Sequence, residues 1–174
     1  LSKKIDIELN EVSSKKIEIL KSNLKRLKFN ARIYNKNFIK FRKLKKYDFI
    51  ILDSPCSSIG TIRKNPEIFY KTKPPNLRNL IKIQEQMLEK ASEMINDDGI
   101  ILYMVCSFLK IETEDQIQRF LEKKSNFKLW NFKSIEHDME YNKLIRNNFM
   151  ITLPNTVFKY RIDGFFAAYL KKIK

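Results

Sequence analysis

Residues 49–60 read Phe-Ile-Ile-Leu-Asp-Ser-Pro-Cys-Ser-Ser-Ile-Gly. Four apolar residues in a row, ended by Asp53-Ser54-Pro55, predict a strand covered on both faces, as in a parallel sheet. Working outward, a loop follows with Gly60, Pro66, Pro74 and Pro75. Leu80, Ile83, Met87, Ala91 and Met94 then recur at helical spacing, and Asn96-Asp97-Asp98-Gly99 supplies the stop. A second apolar strand runs from Ile100 to Val105 and ends at Cys106. Strand, helix and strand in that order make a parallel pair.

The flanks continue the alternation. Ile5, Ile7 and Leu9 alternate with Asp6 and Glu8 as in a strand. Ser13 and Ser14 offer a cap to a helix carrying Ile17, Leu20, Leu24 and Leu27. Ala31 to Tyr34 reads as a short strand. Beyond Cys106, a helix over Glu112 to Lys123 turns Ile117, Phe120 and Leu121 inward, and Phe127 to Trp130 is a strand. Ser134 to Asn148 is polar and carries no clear pattern, and Phe165 to Leu170 is the last strand. The expected fold is α/β, a mostly parallel, doubly wound sheet in a single domain over residues 1–174. The three glycines, Gly60, Gly99 and Gly164, lie beside strand ends and loops, where unusual backbone angles are expected. None forms a phosphate- or cofactor-cradling loop.

Net charge is +15, from 35 basic and 20 acidic residues. Such a surface attracts phosphate backbones through counterion release, although a lysine-rich composition accounts for the same number. No apolar run approaches the length of a membrane span. The opening Leu-Ser-Lys-Lys-Ile-Asp is no signal peptide and lacks a starting methionine, so the chain reads as an excerpt or a fragment. His137, the one histidine, sits in a polar stretch and reads as a surface residue, and nothing points to a metal site.

Two cysteines, Cys56 and Cys106, rule out a disulfide scaffold and a four-cysteine zinc site, and they fit a reduced cytoplasmic setting. Both follow apolar strands. Ligands of open α/β sheets bind outside the carboxyl ends of strands, so both thiols are candidates for one pocket. The plain alternative is two buried cysteines acting as small hydrophobes.

The surrounding residues favour the pocket. Asp53-Ser54-Pro55-Cys56-Ser57-Ser58-Ile59-Gly60 resembles the Asp-Ala-Pro-Cys-Ser-x-x-Gly motif of Sun-family RNA cytosine-5 methyltransferases, with Arg63, Asn65 and Pro66 continuing the match. Tyr103-Met104-Val105-Cys106-Ser107 resembles the family's second cysteine motif. Gln84 and Glu112 fall in register, with Thr113 where the family has Asn. Leu153-Pro154 and Asp163-Gly164-Phe165-Phe166 with Ala168 resemble the closing motif, with Asn155 in place of His. Asn23-Leu24-Lys25-Arg26-Leu27 matches the helix after the family's second strand. The nearest look is to bacterial members acting on small-subunit ribosomal RNA. Against that pattern, the first strand and the Gly-Gly-Lys cofactor loop are missing.

The resemblance implies a Rossmann-like methyltransferase sheet, S-adenosylmethionine as cofactor and RNA as partner. It implies Cys106 as the nucleophile that adds to cytosine C6 and Cys56 as the group that assists release. It further implies Glu11 on the cofactor ribose, Asn37 (where the family has Asp) toward the adenine, and Asp53 on the base or the methyl donor. Arg63 and Lys64 are the candidate RNA contacts. Together with Lys110 they are also the candidate cations for lowering a thiol pKa. A separate N-terminal half carrying the missing loop is one expected partner. Three other readings stay open: a catalytically inactive split or degraded fragment that still binds RNA, a thiol redox protein lacking Cys-x-x-Cys, and a DNA cytosine methyltransferase using the Pro-Cys thiol.

Overall fold

The computed structural model describes residues 5–42, 45–70, 72–131, 144–154 and 162–174. His137 and Asn155 lie outside them. The chain divides into two compact units, residues 1–43 and 44–174.

In the first unit, strands β1 (Glu8–Asn10) and β2 (Arg32–Tyr34) pair in parallel, joined by helix α1 (Ser14–Leu27). Ser13 caps α1 by accepting from the backbone N–H of Lys16. The expected strand over Ile5–Leu9 is shortened: Ile5 is exposed, and pairing starts at Glu8. Of the four apolar residues expected to face inward from α1, Ile17 is buried and Leu27 is exposed.

The second unit is built on β3 (Tyr47–Asp53) and β4 (Ile95–Val105), parallel neighbours connected through helix α2 (Leu77–Met94). Helix α3 (Glu114–Lys123) and strand β5 (Phe127–Trp130) follow. The hairpin β6 (Ile145–Arg146) and β7 (Phe149–Thr152), which the polar sequence around it concealed, comes next. The last strand, β8 (Phe165–Lys172), lies antiparallel to β4. Its other edge pairs with β7 near Phe165–Ala167 and with β5 near Tyr169–Lys172. The strands joined through helices are thus parallel, as expected, and the C-terminal strands add antiparallel pairs.

One face of this sheet is closed. Leu52, Ile101, Tyr103 and Val105 are buried, as are Leu88, Ala91 and Met94 of α2 and Ile117 and Phe120 of α3. The other face corrects the expectation of a strand covered on both sides: Phe49 is 45% and Ile51 62% exposed. They alternate with Ile50 and Leu52, so they share the face that α2 does not cover. In the sheet order, β3 is outermost among the described strands. The glycines correct a second expectation, since none of them has a positive φ.

An apolar outermost strand invites association. Sedimentation velocity on this chain is expected to find self-association, reduced in a Phe49→Thr, Ile51→Thr variant. Both positions are exposed, so stability changes by no more than about 1 kcal/mol. A strictly monomeric parent chain would refute this.

Candidate active site

Strands β3 and β4 end side by side, at Asp53 and Val105, and each runs directly into a cysteine loop. The ladder continues one step past β3, where the Ser54 N–H donates to the Met104 carbonyl at 3.0 Å. Pro55 then turns the chain, because it has no N–H with which to extend the ladder. The result is two half-buried thiols with Cys56 Sγ 3.2 Å from Cys106 Sγ.

One carboxylate holds both loops. Glu112, fully buried, accepts at Oε1 from the Ser57 N–H (2.9 Å) and from Gln84 Nε2 (3.1 Å). At Oε2 it accepts from the Ser57 and Ser107 hydroxyls, each at 2.6 Å. Four donors match the four lone-pair positions of a carboxylate. Gln84 also donates to the Pro55 carbonyl (3.0 Å), and the Tyr103 hydroxyl donates to the Glu112 carbonyl (2.9 Å). The residue after each cysteine is therefore tied to the same group. The sequence aligned Gln84 and Glu112 with the family but gave them no role. The available signal was a glutamine inside the apolar stripe of α2, buried where leucine or alanine is the rule.

A third segment closes the site. The Gly60 N–H donates to the Cys106 carbonyl (3.0 Å), and the Gly164 N–H donates to the Gly60 carbonyl (2.7 Å). A β-carbon on Gly60 would lie 2.0 Å from the Gly164 oxygen and 2.9 Å from the Cys106 oxygen. Gly60 is glycine for space, not for backbone angle.

The two thiols titrate in opposite directions. Cys106 is lowered to about 6, first by the hydrogen bond from Cys56 and then, against the cost of burial, by the Ser58 hydroxyl at 3.5 Å. Cys56 is raised far above the thiol range, by that same bond to Cys106 and then by burial. No cation is among the main causes of this shift, contrary to the expectation for Lys110, Arg63 and Lys64. Lys110 lies 3.9 Å from Asp115, while Arg63 (3.1 Å) and Lys64 (2.8 Å) both bind the carboxylate of Asp163. That pairing, Lys64 foremost, lowers the Asp163 pKa.

The remaining candidates sit at carboxyl ends of parallel strands. In the first unit, Glu11 follows β1 and accepts from the Ser13 N–H at 2.8 Å, and Asn37, beyond β2, accepts from the Ile39 N–H at 3.0 Å. A carboxylate and an amide at neighbouring strand ends form a donor and acceptor set that fits a ribose and an adenine edge. In the second unit, Asp53 is exposed at the end of β3. The sequence holds no glycine cradle for the rest of a nucleotide-like cofactor.

A sequence profile described as 16S rRNA methyltransferase RsmB/F matches residues 1–171. The chain belongs to that family. The ribosomal RNA small subunit methyltransferase B of Shewanella oneidensis is 32% identical over 122 residues, 68% of this chain and 28% of that protein. A probable ribosomal RNA small subunit methyltransferase B of Synechocystis is 29% identical over 125 residues, 72% of this chain and 27% of that protein. The family member thus spans less than a third of the length of these relatives. Among solved structures, PH0851 superposes with a TM-score of 0.83 at 29% identity, over 97% of this chain and 37% of its own. NSun6 from Pyrococcus horikoshii, solved with SFG, gives 0.79 at 23% identity over 98% and 42%. The Rossmann-like methyltransferase fold is established on these grounds. Among the described residues no helix is long and apolar enough to cross a membrane.

Gly60→Ala is expected to destabilise the family member by about 3 kcal/mol, because the added methyl group meets backbone rather than a flexible side chain. Thermal unfolding measures it. A loss below about 0.5 kcal/mol would show that the three turns do not depend on their close approach.

Proposed function

We propose that this chain carries the catalytic centre of a single methyltransferase domain that methylates C5 of a cytosine in small-subunit ribosomal RNA, through a covalent adduct on Cys106. The observation that carries the reading is the asymmetric thiol pair at two adjacent strand ends. Cytosine C5 is a weak nucleophile until a thiolate adds to C6. The thiol that titrates at about 6 is a thiolate near neutral pH, which supports Cys106 over Cys56 as the attacking group.

The Cys106 sulfur bonds to C6, and the electrons of the C5–C6 double bond move toward C5. S-adenosylmethionine, when bound, supplies a methyl group made electrophilic by its sulfonium. Glu11 would hold the ribose hydroxyls, Asn37 the adenine edge, and Asp53 the base or the donor.

Adduct formation consumes the Cys106 charge, and with it the main cause of the raised Cys56 pKa. Cys56 then becomes able to lose its proton and accept the one on C5. As that proton leaves, the C5–C6 double bond reforms and the Cys106 thiolate is expelled. The +15 charge supports phosphate binding, with Arg63 and Lys64 at the rim of the Cys56 loop. The target base must be single-stranded or flipped out of its helix to reach the half-buried thiols. A reduced, cytoplasmic setting keeps both sulfurs free.

The test is methyl transfer to small-subunit ribosomal RNA, with the glycine-rich loop segment supplied. Cys106→Ser is expected to lower turnover at least about 10³-fold, roughly 4 kcal/mol in the barrier, and to form no adduct. Cys56→Ser is expected to attack and then stall, so that protein–RNA adduct accumulates on a denaturing gel. An adduct in the Cys106 variant would reverse the two roles. Unchanged turnover in both variants would refute the reading.

A further inference from the structure

Ser58 stands at the N-terminal cap of the 3-10 turn Ile59–Thr61, with φ 60° and ψ 16°. That is the left-handed region, disfavoured for any residue with a β-carbon. Glycine adopts it without strain, yet here the position holds a serine. A serine at a cap ordinarily accepts a hydrogen bond from its own turn. The Ser58 side chain makes no such bond. Its Oγ instead lies 3.5 Å from Cys106 Sγ.

The turn does not need that hydroxyl. The Ser58 carbonyl accepts from both the N–H and the hydroxyl of Thr61, each at 2.9 Å. Gly60 fixes the turn to the Cys106 carbonyl, and Ser57 fixes its approach through Glu112. The backbone is thus held by neighbours, while the one polar group that Ser58 adds is given to a sulfur.

We propose that Ser58 is a positioning residue for the nucleophile: its hydroxyl, which accepts from the Cys106 thiol at 3.5 Å, turns to donate once that sulfur has lost its proton and holds the thiolate ready for attack. The assignment rests on the reading of Cys106 as the attacking thiol. Cys56 and Ser58 then supply two donors to one sulfur, and Ser58 keeps its proton throughout the reaction. The Ser58 donor therefore remains when Cys106 is expelled as a thiolate, after the proton on Cys56 has been exchanged.

The test is the pH dependence of iodoacetamide alkylation on the full chain, following the Cys106 peptide by mass spectrometry, with thermal unfolding alongside. The parent chain should react with a midpoint near 6. Ser58→Ala removes the hydroxyl and keeps the strain; Ser58→Gly removes the hydroxyl and relieves it. Both variants should raise the midpoint by about one pH unit, the size of a hydrogen bond to a charged group. Ser58→Gly should be at least as stable as the parent, so its shift cannot come from a damaged turn. A parent midpoint kept in both variants, or kept in Ser58→Gly alone, would overturn the proposal and leave Cys106 as nucleophile untouched. A parent chain whose Cys106 titrates near the ordinary thiol value, about 8.5, would instead sink the nucleophile reading, and this proposal with it.

Discussion

Between Gly60 and Gly164 two stretches of backbone pass with no side chain between them. A carbonyl of one turn receives the N–H of the other, and the Cys106 carbonyl receives the remaining N–H. Packed interiors leave no slack at such a point, because neither backbone can rotate away as a side chain would. Three loops far apart in sequence, those of Cys56, Cys106 and Asp163, therefore share one fixed position. What the site can do follows from that closeness: two sulfurs within hydrogen-bonding distance, and a serine hydroxyl aimed at one of them.

The carboxylate of Glu112 complements this from below. A buried polar group with no partner costs several kcal/mol, whereas one with every lone pair occupied acts as a rigid bracket. Its four donors come from the two cysteine loops and from α2, so the bracket fixes the relative position of the loops rather than that of either loop alone. The thiols then behave as one titrating unit, and proton loss belongs to the pair. The surrounding hydrogen-bond donors decide which sulfur carries the charge.

Much of this was legible in the sequence. The apolar runs ending at Asp53 and Cys106 gave the two strands that deliver the thiols, because strand ends in α/β sheets are where sites form. The helical spacing of Ile117 and Phe120 gave α3, and the Asp-Gly-Phe-Phe stretch gave the start of β8. Other features stayed hidden for physical reasons. Exposure of Phe49 and Ile51 depends on what covers a sheet face, which a four-residue apolar run does not encode. The roles of Glu112 and Gln84 depend on contacts across 28 to 55 residues. The expectation that cations lower a thiol pKa counted lysines and arginines along the chain, but Arg63 and Lys64 are drawn to Asp163, a hundred positions away in the case of Arg63. Ser58 carried no sequence signal, since a serine in a turn is common and only its backbone angle makes it unusual.

Among the described strands, the one that completes the sheet is also the last to be made. β8 lies inside the sheet, between β4 on one edge and β5 and β7 on the other, and Gly164 immediately precedes it. A growing chain that has made both cysteine loops and Glu112 still lacks the Gly164 turn that closes against Gly60, and parallel pairing of β3 with β4 is itself slow to form. Until β8 inserts, the Glu112 bracket can form, but the Gly60 carbonyl lacks the N–H that Gly164 brings. Full order at the two sulfurs thus waits on Gly164, 58 residues beyond Cys106, and a chain cut before it keeps the Glu112 bracket but loses the turn that packs against Gly60.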